Sequence, residues 1–199
     1  CREASLAEIV RRYFAAAANV KRTGVGEDQV GRLKAIMQKA GIDKGYLPTR
    51  AAALGREEET GGPVGAMMLP DGSVITGKTS ERLGAASSLL MNALKTVTGV
   101  DVEEDVIDDG AIDPICRLKT ERLDSKNHRL HSDETLIALS ISSATSEVAK
   151  RVIGGLPKLR GCDAFFSVII SQTDEELYRK LGINVCCEPK YERHTFYHK

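Results

Sequence analysis

VGAMMLPDGSVITGKTSERLGAASSLLMNALKTVTGV, residues 64–100, decides the fold, because two β-like runs joined by a turn lead into a helix. Both faces of the first run, 64–69, are apolar or small, which is typical of a strand covered on both sides. Pro70-Asp71-Gly72 supplies turn chemistry, and the β-branched residues of 73–76 predict the returning strand. From about Glu81, apolar residues recur at spacings of three and four, which predicts a helix ending at Gly99.

This hairpin and helix are expected to form the centre of the core. Ala86, Leu90 and Leu94 lie on the apolar side of the predicted helix. If the interpretation is right, these three side chains are buried and residues 64–76 are paired extended chain. The other layers should stack on this unit.

Composition places the chain among ordinary globular proteins. Its 199 residues are 42% hydrophobic and 28% charged, which is average for a soluble domain. Lys plus Arg equals Asp plus Glu, at 28 each, so net charge predicts neither nucleic acid nor an anionic membrane as a partner. No apolar run approaches the roughly 18 residues of a membrane span. The five cysteines are irregularly spaced and follow no secretory leader, which predicts reduced thiols in a cytoplasm.

The N-terminal third reads as helical. The chain starts at Cys1 and enters a helix signal at once, Ser5 to Glu8 matching a capping box, so we expect a fragment of a longer protein. A second helix is predicted over Glu27–Ala40 and a third from Pro48. Gly61-Gly62-Pro63 is the best boundary. Residues 1–62 are therefore predicted to be a helical subdomain and residues 63–199 an α/β domain.

The rest of the chain alternates helices and strands. After an acidic connection, 101–109, helices are predicted from Asp113-Pro114, from a Ser132 cap and over 146–153. The apolar run 164–170, a helix capped by Thr173 and Glu176, and a strand over 183–187 predict a βαβ crossover. The predicted fold class is α/β, a helical N-terminal subdomain followed by a three-layer α/β/α mixed sheet.

One motif suggests phosphate binding. Residues 72–79, GSVITGKT, fit the phosphate-loop pattern, in which amides at a helix start, Lys78 and the hydroxyls of Thr79 and Ser80 hold a phosphate. The competing interpretation is a hairpin turn at Gly72 and a strand over 73–76, and we favour it because a phosphate loop lies between a strand and a helix.

The segment 128–134, HRLHSDE, is the densest set of titratable groups. His131 near Asp133 or Glu134 would form an acid/base pair, because imidazole titrates near neutral pH and a carboxylate fixes its tautomer. Arg129 would bind an anion. The alternative, which we favour, is a solvated loop with an acidic helix start.

Two further features carry weaker expectations. The cysteines are expected to be small buried apolar residues, with only Cys162, close to Arg160, having a hint of reactivity. The terminal run 194–199 would reach a nucleotide or a partner if it is not an ordinary tail.

The central segment, residues 65–100, resembles the opening of a cytidine-deaminase-like domain, in which a hairpin also leads into a helix. In the deaminases that helix begins with a zinc-binding His or Cys and a catalytic Glu. Here the region reads Gly84-Ala85-Ala86-Ser87-Ser88-Leu89, and the later Pro-Cys-x-x-Cys pair is absent. The resemblance therefore implies deaminase-like topology with no metal site.

A second resemblance covers nearly the whole chain in order. The segments REASLAEIVRRYF, LPDGSVITGKTSERLGAASSLLMNALK, RLHSDETLIALSIS, LPKLRGCDAFFSVI and KLGINVCCEPKYERHTFYHK are similar to the bacterial domain-of-unknown-function 1846 family. The resemblance implies the C-terminal part of a longer cytoplasmic protein, whose own N-terminal domain, with a glycine-rich phosphate-loop-like segment, is then its partner. No activity or cofactor follows from it.

Two functional hypotheses result. In the first, the intact protein is an enzyme that binds a nucleotide or phosphorylated small molecule. Its catalytic candidates are His131, Asp133 and Glu134, and its ligand-binding candidates are Lys78, Thr79, Ser80 and Arg129. In the second, this part is a structural module or forms a homo-oligomer, and the chemistry lies upstream. Convergence of Lys78, Arg129 and His131 on one pocket would favour the first.

Overall fold

The computed structural model describes residues 2–192 and contains a mixed sheet covered by helices; the predicted terminal run 194–199 lies outside the described residues. In chain order the elements are α1 (Arg2–Thr23), α2 (Glu27–Ala40), α3 (Pro48–Thr60), β1 (Val64–Met68), β2 (Val74–Lys78), α4 (Ala85–Val97), α5 (Asp109–Arg117), α6 (Ser132–Ser142), α7 (Glu147–Ile153), β3 (Asp163–Phe166), α8 (Gln172–Lys180) and β4 (Asn184–Cys187). Short 3₁₀ turns occupy Lys44–Tyr46 and Leu156–Leu159, and a π-helical turn, Leu118–Arg122, follows α5.

The sheet confirms the predicted hairpin and crossover. Its four strands lie in the order β2-β1-β3-β4. β1 pairs antiparallel with β2 and with β3, whereas β3 and β4 are parallel and are joined through α8. The hairpin turns at Gly72, which has a φ of 84°, and the Asp71 carboxylate accepts the Ser73 amide at 2.9 Å. Register is fixed because the apolar faces of these strands must meet two different cores.

Helices cover both faces of this sheet, so the mixed α/β class is confirmed. On one face, Ala66, Phe165 and Cys186 pack against side chains of α1 and α3, among them Phe14 and Ala53. On the other face, a larger core joins Met67, Phe166 and Cys187 to α4 and α8, with Tyr178 fully buried. Residues 2–62 therefore supply one covering layer; the division of residues 1–62 from the remainder as a subdomain stays a prediction.

A pair of glycines brings α4 unusually close to the hairpin. Gly65 on β1 and Gly77 on β2 lie opposite each other. A Cβ atom on Gly77 would stand 2.2 Å from the backbone nitrogen of Leu89, and one on Gly65 would stand 2.3 Å from Phe166. Ala86, Leu90 and Leu94 are buried, as predicted. The glycine pair therefore forms a notch that receives α4.

Helix α4 begins at Ala85, four residues later than the sequence indicates. Before it, Leu83 forms an isolated parallel bridge with Leu130, and the Gly84 amide donates to the Leu130 carbonyl at 3.3 Å. This long-range pairing keeps residues 81–84 extended or bent, because their backbone groups are already used outside a helix. The prediction of a helix from Glu81 was wrong for this reason.

Other element ends also differ from the predictions. Ser5 lies inside α1, so no capping box forms there. Helix α5 starts after the Asp108 cap and carries Pro114 in its interior. Strand β3 stops at Phe166 instead of 170, and Ser171, in place of Thr173, caps α8. His131, and not Ser132, is the residue that precedes α6. None of the helices in residues 2–192 is both long and apolar enough to cross a membrane.

Candidate active site

A cavity of about 200 Å³ opens where three helix N-termini approach each other. The start of α4, the residues before α6 and the β3–α8 turn form its walls. The side chains and backbone that line it belong to Pro63, Thr79, Gly84, Ala85, Ala86, Asn127, Arg129, Leu130, His131, Val168, Ile169, Ile170, Ser171, Asp174 and Glu192. The first amides of a helix lack an intrahelical acceptor, so Ala85 and Ala86 offer donors at this wall.

His131 is the central titratable group of the cavity. It directly precedes α6, and its Nδ1 atom lies 3.1 Å from the Oδ2 atom of Asp174. The side chain of His131 is 34% exposed, whereas that of Asp174 is 9% exposed. Within residues 2–192, Nε2 of His131 has no hydrogen-bond partner. The ring is thus oriented through Nδ1, and His131 lines the cavity.

Asp174 is the carboxylate that orients this ring. It lies in the first turn of α8, and Oδ1 accepts the Ser132 amide at 2.8 Å and the Ser132 hydroxyl at 2.7 Å. Oδ2 accepts the Ser171 hydroxyl at 2.6 Å as well as His131. Each donor favours the charged form, so the carboxylate ties the start of α6 to the start of α8.

Both pKa values follow from this pairing. The hydrogen bond to Asp174 raises the pKa of His131, and burial opposes the shift without cancelling it. Burial tends to raise the pKa of Asp174, but the hydrogen bonds from His131, Ser171 and Ser132 together outweigh it and lower the pKa. The imidazolium–carboxylate form is therefore favoured at neutral pH relative to a free histidine.

Arg129 is anchored two residues before His131. Its Nε donates to the Ser80 carbonyl at 2.8 Å, and its amide donates to Oδ1 of Asn127 at 3.1 Å. The two terminal guanidinium nitrogens have no hydrogen-bond or ion-pair partner in the described residues. A guanidinium held by Nε with its terminal nitrogens available matches the fork that binds a carboxylate or phosphate.

A buried lysine supports the segment that carries both groups. Nζ of Lys119, in the π-helical turn, donates to the Arg129 carbonyl at 2.6 Å and to Oε2 of Glu134 at 2.7 Å. The same Glu134 oxygen accepts the His131 amide at 2.7 Å. One ammonium therefore fixes the backbone at Arg129 and, through Glu134, at His131.

The structure brings together some of the sequence-predicted residues and separates others. Arg129, His131 and Thr79 line the same cavity, whereas Lys78, Ser80, Asp133 and Glu134 do not. Lys78 is exposed at the end of β2. The Asp133 carboxylate accepts the Glu134 amide at 2.9 Å, and Glu134 binds Lys119, so neither carboxylate is paired with the imidazole.

Asp174 and Ser171 are the residues that sequence reasoning missed. They form a serine cap with an acid three residues later, which is a local helix-start signal. That signal was assigned to Thr173 and Glu176, two residues too late. No local pattern links residue 174 to residue 131, so the contact depends on the sheet topology.

The phosphate-loop interpretation of residues 72–79 was wrong. Gly72 occupies the hairpin turn, and Gly77 lies inside β2 at the notch beneath α4. Thr79 donates its amide to the Pro63 carbonyl at 3.0 Å and starts no helix. The pattern therefore describes a strand and its exit, as the competing interpretation held.

The described residues show neither an activated buried thiol nor a cluster of metal-ligand side chains. Cys162, Cys186 and Cys187 are buried, and burial raises the pKa of each thiol, that of Cys187 to about 11. The expectation of buried apolar cysteines is confirmed for these three, and Arg160 does not activate Cys162; Cys116 is partly exposed. No group of three or more His, Cys, Asp or Glu side chains in residues 2–192 is arranged to hold a metal ion.

Comparison with known proteins matches residues 46–197 to the family described as "Domain of unknown function DUF1846, C-terminal". Similar proteins include UPF0371 proteins of Corynebacterium efficiens and Corynebacterium glutamicum, each 45% identical over 199 residues, and of Streptococcus pyogenes, 38% identical over 197 residues. The match covers all of this chain but 40% of the length of the Corynebacterium proteins. The chain therefore belongs to the domain-of-unknown-function 1846 family and corresponds to the C-terminal domain of its bacterial members.

Proposed function

We propose that the cavity binds a small phosphorylated molecule and that His131 transfers a proton to or from it. The observation that carries this proposal is the convergence of Arg129 and His131 on one cavity, each anchored on one side and unpartnered on the other within residues 2–192. Arg129 and the first amides of α4 supply donors for phosphate oxygens. The raised pKa of His131 suits a proton donor near neutral pH.

We expect selectivity for a phosphorylated ligand to come from the directed donors of Arg129 and α4, and not from net charge. Two carboxylates, Asp174 and Glu192, line the same cavity as Arg129 and His131. The Asp174 charge is already engaged by four donors, so it orients the site more than it repels a ligand. A ligand must therefore place its anionic oxygens on the Arg129 and α4 side.

Cavity size selects between the two ligand classes in the first hypothesis. A volume of about 200 Å³ lies below the roughly 300–1,000 Å³ of pockets that enclose drug-sized ligands. A short phosphate ester fits this space better than an entire nucleotide. We therefore favour a three- to five-carbon phosphate ester as the ligand class.

The test is calorimetry and thermal unfolding with inorganic phosphate, glycerol 3-phosphate, ribose 5-phosphate and adenosine monophosphate. We expect glycerol 3-phosphate to raise the melting temperature and glycerol to leave it unchanged, because a ligand of the native state stabilises it. Arg129→Ala and His131→Ala should abolish the shift. Lys78→Ala, a nearby cation outside the cavity, is the control and should retain it. A shift that persists in Arg129→Ala refutes the proposed site.

A second candidate function is to pack against another protein domain. Ile137 and Ile141, one turn apart on α6, are each 56% exposed, which favours the structural or oligomerising hypothesis. The chain spans 40% of the length of its Corynebacterium relatives, so its own N-terminal domain is the proposed partner for this face. Light scattering of this chain and of Ile137→Glu tests the other occupant, a second copy of the chain: a dimer that is lost in the variant would replace the N-terminal domain as the partner.

Two finer proposals concern the topology of the sheet and the location of the protein. The strand order β2-β1-β3-β4, with an antiparallel hairpin beside a parallel pair, supports a deaminase-like topology. Free cysteines among the described residues support a reducing compartment, and we propose a cytoplasmic location.

A further inference from the structure

The outer edge of β4 carries backbone groups that the sheet does not use. In the described residues β4 is the last strand and pairs with β3 alone. The amides of Asn184 and Glu188 donate toward β3 at 2.9 Å each. Since successive residues of a strand point their backbone groups to opposite sides, the amides and carbonyls of Val185 and Cys187 face away from β3.

A groove runs along this edge between two helices. One cavity of about 380 Å³ follows residues 183–185, and another of about 160 Å³ follows residues 185–187. Both are lined by Ala15 of α1, Arg179 of α8 and Val185 of β4, so they form one continuous depression. Ala15 leaves the wall low because its side chain is short. We call this depression the β4 groove.

The walls of the β4 groove carry an excess of positive charge. Four arginines and two glutamates line it: Arg11, Arg12, Arg22 and Arg179 with Glu8 and Glu175. Each glutamate is shared by two arginines, Glu8 by Arg11 and Arg12 and Glu175 by Arg22 and Arg179. Arg11 also binds Asp163. The side chains of Arg12 and Arg179 are 69% and 59% exposed, so they remain accessible to an incoming carboxylate.

The edge strand is short, at four residues, but it lacks the side-chain features that prevent strand addition. Natural edge strands are blocked by charged side chains, proline or a bulge. The sequence Asn184-Val185-Cys186-Cys187 contains no charge and no proline, and its register with β3 is continuous. The positive charge lies on the helices beside the edge, where it attracts a strand of opposite charge.

We propose that the β4 groove binds an extended acidic segment of another protein, which adds to β4 as a further strand. Backbone hydrogen bonds to Val185 and Cys187 supply the pairing, and side chains that point alternately to the two walls supply selectivity. Adjacent acidic residues then face Arg12 on α1 and Arg179 on α8. Arg22 spans from α1 to Glu175 on α8 with a separation of 2.7 Å, so the groove is closed at the Cys187 end and admits a short strand.

The test uses the fluorescein-labelled peptide VEDVEDV and fluorescence anisotropy with this chain. The peptide VKKVKKV controls for charge, and a VEDVEDV peptide with alternate N-methylated amides controls for strand pairing. We expect saturable binding of VEDVEDV, at least tenfold weaker binding of both controls, and at least tenfold weaker binding to the double variant Arg12→Glu/Arg179→Glu. Arg151→Glu, an exposed arginine on α7, should bind within twofold of the unchanged chain.

Hydrogen exchange on the unsubstituted chain tests strand pairing without relying on the charge-reversed variant. The added strand should slow exchange of the Val185 and Cys187 amides and leave Cys186 unchanged, because Cys186 already faces β3. Absence of saturable binding, equal binding of the N-methylated peptide, or an equal loss in Arg151→Glu overturns the proposal. Light scattering that shows a dimer lost in the double variant also overturns it, because the occupant is then a second copy.

Discussion

Replacing Asp174 by Asn tests the arrangement of the candidate site most directly. Asn retains one acceptor oxygen, which can serve the amide and hydroxyl of Ser132. Its amide nitrogen cannot accept from His131 and Ser171, which now donate at 3.1 Å and 2.6 Å. Two hydrogen bonds to a carboxylate are lost, each worth about 1.5–3 kcal/mol.

Partial recovery reduces the expected cost. His131 and Ser171 border the cavity, so water can replace part of each lost hydrogen bond. We expect the free energy of unfolding to fall by about 2–4 kcal/mol. Asp133→Asn is the matched control on the same helix start, because its carboxylate accepts a single amide, that of Glu134. That change should cost about 1 kcal/mol or less.

The fall in stability caused by Asp174→Asn should also depend on pH. Asp174 raises the pKa of His131 above 6.5, so its stabilisation of the imidazolium is complete below pH 6.5 and disappears as the pH rises through the folded-state pKa. Asp174→Asn should therefore destabilise the chain more at pH 6 than at pH 8.5. Urea unfolding followed by circular dichroism measures the free energy of unfolding, and NMR titration of the His131 ring measures the pKa. A cost below 0.5 kcal/mol at pH 6, or an unchanged ring pKa, refutes the pairing.

Three further predictions concern the structure around this site. Gly77→Ala should lower the free energy of unfolding, measured by urea titration, by about 3 kcal/mol, because its Cβ would stand 2.2 Å from the Leu89 backbone. The control is Gly55→Ala, at an open position within α3, which should instead stabilise the chain by about 0.5–1 kcal/mol. Lys119→Met should cost about 1–3 kcal/mol and weaken phosphate-ester binding measured by calorimetry, with Lys119→Arg recovering part of both; unchanged ligand affinity would contradict its support of Arg129. His131→Gln should remove most of the decline in stability between pH 6.5 and 8.5 that the unchanged chain shows, and parallel pH profiles of the two proteins would rule out His131 as the titrating group.

The sequence predicted those elements whose signals are local. The hairpin, α2, α3 and α7 agree because turn residues, caps and apolar periodicity lie within the elements themselves. Where the prediction failed, a distant partner decides the structure. Leu130 holds Leu83 outside α4, and β3 ends at Phe166, where its partner strand β1 begins.

The candidate site shows the same division between local and long-range signals. Arg129 and His131 were found because they lie in one polar segment. Their anchors come from Ser80 and Asp174, 49 and 43 positions away. Asp133 is the nearer carboxylate in sequence, but the first turn of α6 directs it to the Glu134 amide. Sequence proximity alone could not choose among the three acids.

The notch formed by Gly65 and Gly77 has a mechanical consequence for the cavity beside α4. Because α4 rests on strand backbone without side chains in between, it cannot slide or roll without first lifting away from the sheet. The first turn of α4 is thus a rigid wall of the cavity. Any adjustment to an arriving molecule must come from the opposite wall, residues 127–131. Lys119 limits that adjustment, because it binds the Arg129 carbonyl and the Glu134 carboxylate.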